Sequence, residues 1–162
     1  MMISEKMQST LNDQINEELF SSYLYLSMSA WFQSINYKGF AGWMKKQSTE
    51  EYEHAMKIYD YLHEVGADVS LDAIKKPQAS WKSPLDAFKD ALKHEKHITE
   101  CINKLADLAV EEKDHATNIF LHWFVTEQVE EVGNATDIVE KLKMIGDNPA
   151  GLFMLDGQLG HR

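Results

Sequence analysis

The chain has 162 residues, 44% hydrophobic and 26% charged, with 3 Pro, 8 Gly, one Cys and a formal net charge of −10. That is room for one domain with a sizeable core, a composition unlike a disordered chain, and a charge opposed to nucleic-acid phosphates, whose binders carry basic stripes. No apolar run reaches the roughly 18 residues a bilayer span needs, the N-terminal segment lacks a basic region followed by an apolar core, and a lone Cys101 makes no internal disulfide. A cytoplasmic protein with cationic partners is expected, with neither membrane nor nucleic acid among them.

The first helix is predicted over about 4–34, with Ser4 as N-cap and Glu5 in the first turn. Its inward stripe at helical spacing reads Leu11, Ile15, Glu18, Ser22, Tyr25 with Leu26, and Ser29. Asn36 and Gly39 mark a short turn. The second helix follows over about 39–65, with Met44, Gln47, Glu51, His54, Ala55, Ile58 and Leu62 on one face and Gly66 at C′. Residues 67–82 have no sustained period and contain Pro77, so they form a long crossover.

Ser83-Pro84-Leu85-Asp86 is a helix start: hydroxyl cap, proline at the first position, acid at N3. The third helix, about 84–112, carries Leu85, Phe88, Leu92, Glu95, Ile98, Thr99, Ile102, Ala106 and Ala109. Asp114 caps a fourth helix, about 115–145, with Phe120, Phe124, Glu127, Gln128, Glu131, Ala135, Ile138, Leu142 and Ile145. Gly133 inside it suggests a bend or a close helix approach. The tail, 149–159, reads as a short helix or a docking strand. Four long helices with a long middle connection describe an all-α four-helix bundle in which helices two and three run parallel.

Each apolar stripe holds one mid-helix carboxylate: Glu18, Glu51, Glu95 and Glu131. Inward residues at mid-height in a bundle meet, so these four gather with His54. Four ionised carboxylates in a core would each cost several kcal/mol and repel one another, so protons or cations must neutralise them. Oxygen donors plus one imidazole favour a divalent iron-type ion over magnesium or calcium. Glu51 and His54 are three apart and can share one ion, and the second oxygen of Glu51 is free to bridge to another, as in two-metal centres with ions about 3.5–4 Å apart.

Glu112-Lys113-Asp114-His115 repeats the Glu-x-x-His spacing but straddles the break between helices, and is read as surface. His94 and His97 point away from the Glu95 face, and His63 and His122 are left unassigned. Trp123 and Phe124 are expected in the core. Tyr25 could hydrogen-bond a ligand carboxylate or give an electron to the reacting centre.

From N-E-E-L-F-S-S-Y-L-Y at Asn16 through S-T-E-E-Y-E-H at Ser48 and K-H-E-K at Lys93 to F-V-T-E-Q-V-E-E at Phe124, the chain resembles the bacterial non-haem ferritins, and its G-L-F-M-L-D-G-Q-L-G tail is similar to theirs. The resemblance implies one ferritin-like domain over 1–162, a ferroxidase centre that oxidises Fe(II) with dioxygen or hydrogen peroxide, and a hollow homo-oligomeric shell of about 24 subunits storing ferric mineral. It places one iron on Glu18, Glu51 and His54, a second on Glu51, Glu95 and Glu131 with Gln128 beside it as a ligand or hydrogen-bond partner, and a third, more exposed site on Glu50, Glu127 and Glu130, which can share Glu131. Bacterioferritins carry a second Glu-x-x-His and a haem-binding Met where this chain has Glu127-Gln-Val-Glu130 and Tyr52, so no haem is expected. The other readings are a non-catalytic bundle held together by metal and a di-iron oxygenase of small molecules.

Overall fold

The computed structural model describes residues 2–162. It has five helices: α1 (Glu5–Ser34), α2 (Lys38–Glu64), α3 (Pro84–Glu111), α4 (His115–Ile145) and α5 (Pro149–Leu159). None of the described helices is long and apolar enough to cross a membrane.

The helix ends follow local chemistry. Ser4 Oγ accepts from Met7 N at 2.9 Å, Ser83 Oγ from Asp86 N at 3.1 Å with Pro84 behind it, and Asp114 Oδ1 from Thr117 N at 3.0 Å. Each side chain satisfies a backbone donor that the first helical turn leaves free. Asn36, Gly66 and Lys113 adopt positive φ at the ends of α1, α2 and α3, and Gly146 does so after α4.

α2 has no side-chain cap from its own N-cap residue, Tyr37. The tail supplies one: Asp156 Oδ1 on α5 accepts from Phe40 N at 2.9 Å. The approach is so close that a Cβ added to Gly39 would lie 1.7 Å from the Asp156 carbonyl oxygen. The tail is therefore a helix, not a strand, and it docks on the start of α2. At Gly133 an added Cβ meets nothing within 4 Å and α4 runs on without interruption, so the expected close approach is absent there.

The crossover between α2 and α3 runs along α1. Asn12 bonds Asp68 O and Ser70 N, Asn16 bonds Ala73 O, and Ser27 bonds Gln78 O, in the same order along both segments. This returns the chain to the end at which α2 began, so α2 and α3 run in the same direction. α1 packs on α2, α3 on α4, and α1 on α3, whereas no Cα atoms of α2 and α4 come within 8 Å of each other among the described residues. The α2–α4 side is the wider seam of the bundle.

The core is in two parts. One cluster is built on Met7, Leu11, Ile15, Ile58, Leu62, Ile98, Ile102, Leu121 and Phe124; the other on Tyr25, Met28, Phe32, Phe40, Met44, Phe88, Ile138 and Leu142. Along every long helix a buried glutamate falls between the two clusters: Glu18, Glu51, Glu95 and Glu131. A polar layer thus divides the apolar interior at mid-height. Leu26, expected inside, is 46% exposed, because the inward face of α1 turns through Leu24, Tyr25 and Met28 instead.

Candidate metal centre

The polar layer is buried and crowded. Glu18 and Glu51 are fully buried, Glu95 is 1% exposed and His54 4%. Donor atoms of Glu18, Glu51 and His54 lie within 4.8 Å of one another, as do those of Glu51, Glu95 and Glu131. Glu51 is common to both groups. His54 Nδ1 is 3.2 Å from Glu51 Oε2 and 3.8 Å from Glu18 Oε2. The helical i, i+3 spacing brings the first pair together, and the α1–α2 packing adds Glu18.

Side-chain amides and one phenol hold these carboxylates. Gln14 Nε2 donates to Glu18 Oε1 at 3.0 Å. Gln47 Nε2 donates to Glu51 Oε1 at 3.0 Å and also to Glu131 Oε2, spanning the wide α2–α4 seam. Tyr25 Oη donates to Glu95 Oε1 at 2.6 Å, and Gln128 Nε2 to Glu95 Oε2 at 3.1 Å. Gln14 and Gln47 were not singled out as site residues from the sequence. The signal was present, since each lies four residues before a stripe glutamate and so directly below it on its helix.

Burial and the neighbouring Glu51 charge push Glu95 and Glu131 up to about 8, and the same two causes raise Glu18 well above the usual carboxylate range. Glu51 is the exception: burial pushes it up, but hydrogen bonding and charge from His54 outweigh that and leave it below its ordinary value. His54 is raised in turn, because its contacts with Glu51 overcome the effect of burial. Without a cation, protons neutralise most of the layer. With Glu18 ionised, one atom lacks a donor: Glu18 Oε2 is buried with no hydrogen-bond partner. A buried acceptor without a donor costs about 1–3 kcal/mol, and a bound cation would remove that cost. The donor set of carboxylate oxygens and one imidazole nitrogen fits a pair of iron-type divalent ions sharing Glu51.

The residues assigned to a third site are less closely gathered. Glu127 joins His54 and Glu131 in a third group of donors, with its Oε1 4.0 Å from His54 Nε2. Glu130 is exposed and belongs to none of these groups. Glu50 is held by Arg162, whose Nη2 lies 2.8 Å from both Glu50 Oε2 and Gln47 Oε1, while the guanidinium stacks 4.5 Å over Trp43. Trp123, expected in the core, is 38% exposed: it meets the His54 ring in an edge-to-face arrangement with centroids 5.2 Å apart, and Lys57 Nζ sits 4.1 Å over its ring. It lies one residue, or about 100° of helix, away from the fully inward Phe124. Glu112, in the second Glu-x-x-His, accepts from Ser4 Oγ at 2.7 Å, far from the layer.

A four-helix bundle with one long crossover, whose mid-layer collects a glutamate from each of the four long helices and a Glu-x-x-His histidine, has the layout of the ferritin-like di-metal carboxylate bundles. The Ferritin family model, a ferritin-like domain, matches residues 8–145. A bacterial non-heme ferritin of Bacteroides fragilis is 47% identical over 161 residues, covering 99% of this chain and 100% of the relative, and one from Staphylococcus epidermidis is 38% identical over 99% and 97%. Among solved structures, an open pore ferritin from the hyperthermophilic archaeon Archaeoglobus fulgidus matches with a TM-score of 0.99 and 50% identity over 99% of this chain and 98% of that one. This chain belongs to the ferritin family.

Proposed function

We propose that the chain is an iron-storage ferritin that oxidises Fe(II) within its own bundle. The observation that carries this reading is the sharing of buried Glu51 between two groups of donors, one completed by Glu18 and His54, the other by Glu95 and Glu131. Fe(II) is the substrate at both positions, and Gln128 orients Glu95 from the side.

The chemistry follows from charge. Anionic oxygen donors stabilise Fe(III) more than Fe(II), so the layer favours loss of an electron from each iron. Two irons supply the two electrons, and solvent the two protons, that reduce one dioxygen to hydrogen peroxide or one peroxide to two waters. Binding the cations releases the protons that Glu95 and Glu131 hold in their absence. The two apolar clusters above and below exclude water from the layer, which strengthens the fields acting on the ions.

Glu50, Glu127 and Glu130, on the open α2–α4 side, form the third site in this proposal and receive Fe(III) on its way to a mineral store. Replacing Glu127 and Glu130 with Ala leaves oxidation of the first iron pair intact and slows later cycles; unchanged kinetics over repeated additions would remove the third site from the account. Residues 2–162 fold as one ferritin-like unit, without haem, in a homo-oligomeric shell of the cytoplasm. Light scattering tests the shell: a mass roughly 24 times the 18.6 kDa subunit is expected.

Loading Fe(II) anaerobically and then admitting air tests the activity. Wild type oxidises two irons per subunit rapidly and stays folded when stripped of metal, whereas Glu51→Ala and His54→Ala lose the fast phase. A bundle in which metal is only structural would show no fast phase in any form and would lose stability on chelation.

A further inference from the structure

On the α1–α3 side of the bundle, away from the seam that holds Glu127 and Glu131, a second set of metal donors converges. His97 Nε2 is 3.1 Å from Glu17 Oε2 and 3.6 Å from Cys101 Sγ, and donor atoms of all three lie within 4.8 Å of one another. His97 and Cys101 are four apart on α3 and so stack on one face, and Glu17 reaches across from α1. The side chains of His97 and Glu17 are 49% and 34% exposed, so an ion can reach them from solvent.

Two arguments favour an ion over a surface hydrogen-bond cluster. A single imidazole nitrogen has one proton or one lone pair, so His97 Nε2 cannot make a good directional bond to a carboxylate and a thiol together. If it is protonated, carboxylate and sulfur compete for the same hydrogen; if it is bare, its lone pair faces a carboxylate. The spacing about His97 Nε2 also fits two edges of a coordination polyhedron. Tetrahedral zinc has bonds of about 2.0 Å to nitrogen and oxygen and about 2.3 Å to sulfur, which put nitrogen and oxygen about 3.3 Å apart and nitrogen and sulfur about 3.5 Å apart. The two distances from His97 Nε2 differ from those by a few tenths of an ångström, and the Glu17 and Cys101 donors lie within 4.8 Å of each other.

We infer that Glu17, His97 and Cys101 form a separate site for a thiophilic divalent cation of the zinc class, bound through a carboxylate oxygen, His97 Nε2 and the Cys101 thiolate, with water in the fourth position. The thiol proton passes to solvent as the metal–sulfur bond forms. A sulfur donor sets this site apart from the all-oxygen-and-imidazole layer inside the bundle, and the inference does not depend on the function proposed for that layer.

Co(II), a spectroscopic substitute for Zn(II), tests it on the reduced, metal-free full chain. A near-ultraviolet thiolate-to-cobalt charge-transfer band is expected, with the intensity of one thiolate-bound Co(II) per subunit at saturation, and bleached by Zn(II). Cys101→Ser abolishes the band, and His97→Ala and Glu17→Gln each weaken Co(II) binding by about tenfold or more. The band persists in a Glu51→Ala/His54→Ala double variant. Absence of the band in wild type, its loss in that double variant, or unchanged affinity in His97→Ala would each overturn the assignment.

Discussion

Tyr25 donates a hydrogen bond from its phenol to Glu95 across the α1–α3 contact, Oη to Oε1 at 2.6 Å, inside the layer that divides the core. Burial and the Glu95 charge raise the phenol well above its ordinary value, so Tyr25 stays a donor throughout the working pH range. The bond fixes one oxygen of Glu95 while Gln128 holds the other. The hydrogen bond to a carboxylate that the sequence allowed for Tyr25 is present in this geometry.

Tyr25→Phe removes the bond with little change in volume. Metal affinity at the position served by Glu95 and Glu131 should fall about tenfold, the usual cost of losing an outer hydrogen bond to a ligand, while binding at Glu18, Glu51 and His54 is unchanged. Anaerobic Fe(II) calorimetry separates the two steps. Equal weakening of both would show that Tyr25 acts on the whole layer rather than on Glu95.

Glu95 and Glu131 titrate near 8 in the folded metal-free protein and near their ordinary value when unfolded. Between those values the native state holds protons that the unfolded state has released, so stability declines as pH rises across that window. The raised His54 acts in the same direction, and Glu51, held low, contributes stability that is lost only as pH falls toward and below the ordinary carboxylate value. Metal-free protein should therefore melt at a lower temperature at pH 8 than at pH 6, and divalent metal should reverse the trend. Glu95→Gln/Glu131→Gln should flatten the pH dependence; a double variant with the wild-type slope would assign the effect to other groups.

Gly39 gives α5 its seat on α2. A Cβ there would meet backbone, which cannot swing aside as a side chain would. Gly39→Ala should displace α5, remove the Asp156 cap from Phe40 and destabilise the chain by about 1–3 kcal/mol, seen as a lower midpoint in chemical denaturation. Gly133→Ala, with open space around it, should be neutral or slightly stabilising.

The helices and the convergence of Glu18, Glu51, His54, Glu95 and Glu131 were legible because each depends on one period and one stripe. Caps such as Ser83-Pro84 and Asp114 are local, and a mid-helix carboxylate among apolar neighbours is visible without knowing what it faces. Relations between helices were not legible. Arg162 reaching Glu50, Asp156 capping α2, and Gln47 joining Glu51 to Glu131 are set by packing between segments far apart in the chain. Trp123 and Leu26 were misplaced because a residue at the margin of a stripe goes in or out by a few tens of degrees of helix rotation, which a period of 3.6 does not resolve. His97 was rightly turned away from the inner layer, yet Glu17 and Cys101 beside it emerge only once α1 and α3 are packed.

Diffraction at the iron absorption edge, from crystals loaded with Fe(II) without oxygen, tests the central claim that cations neutralise the buried carboxylate layer. Two anomalous peaks are predicted, one bounded by Glu18, Glu51 and His54, the other by Glu51, Glu95 and Glu131, with Glu51 touching both. Iron found only on the exterior, with Glu51 still on His54, Glu95 still on Tyr25 and Gln128, and Glu131 still on Gln47 as they are without metal, would contradict it.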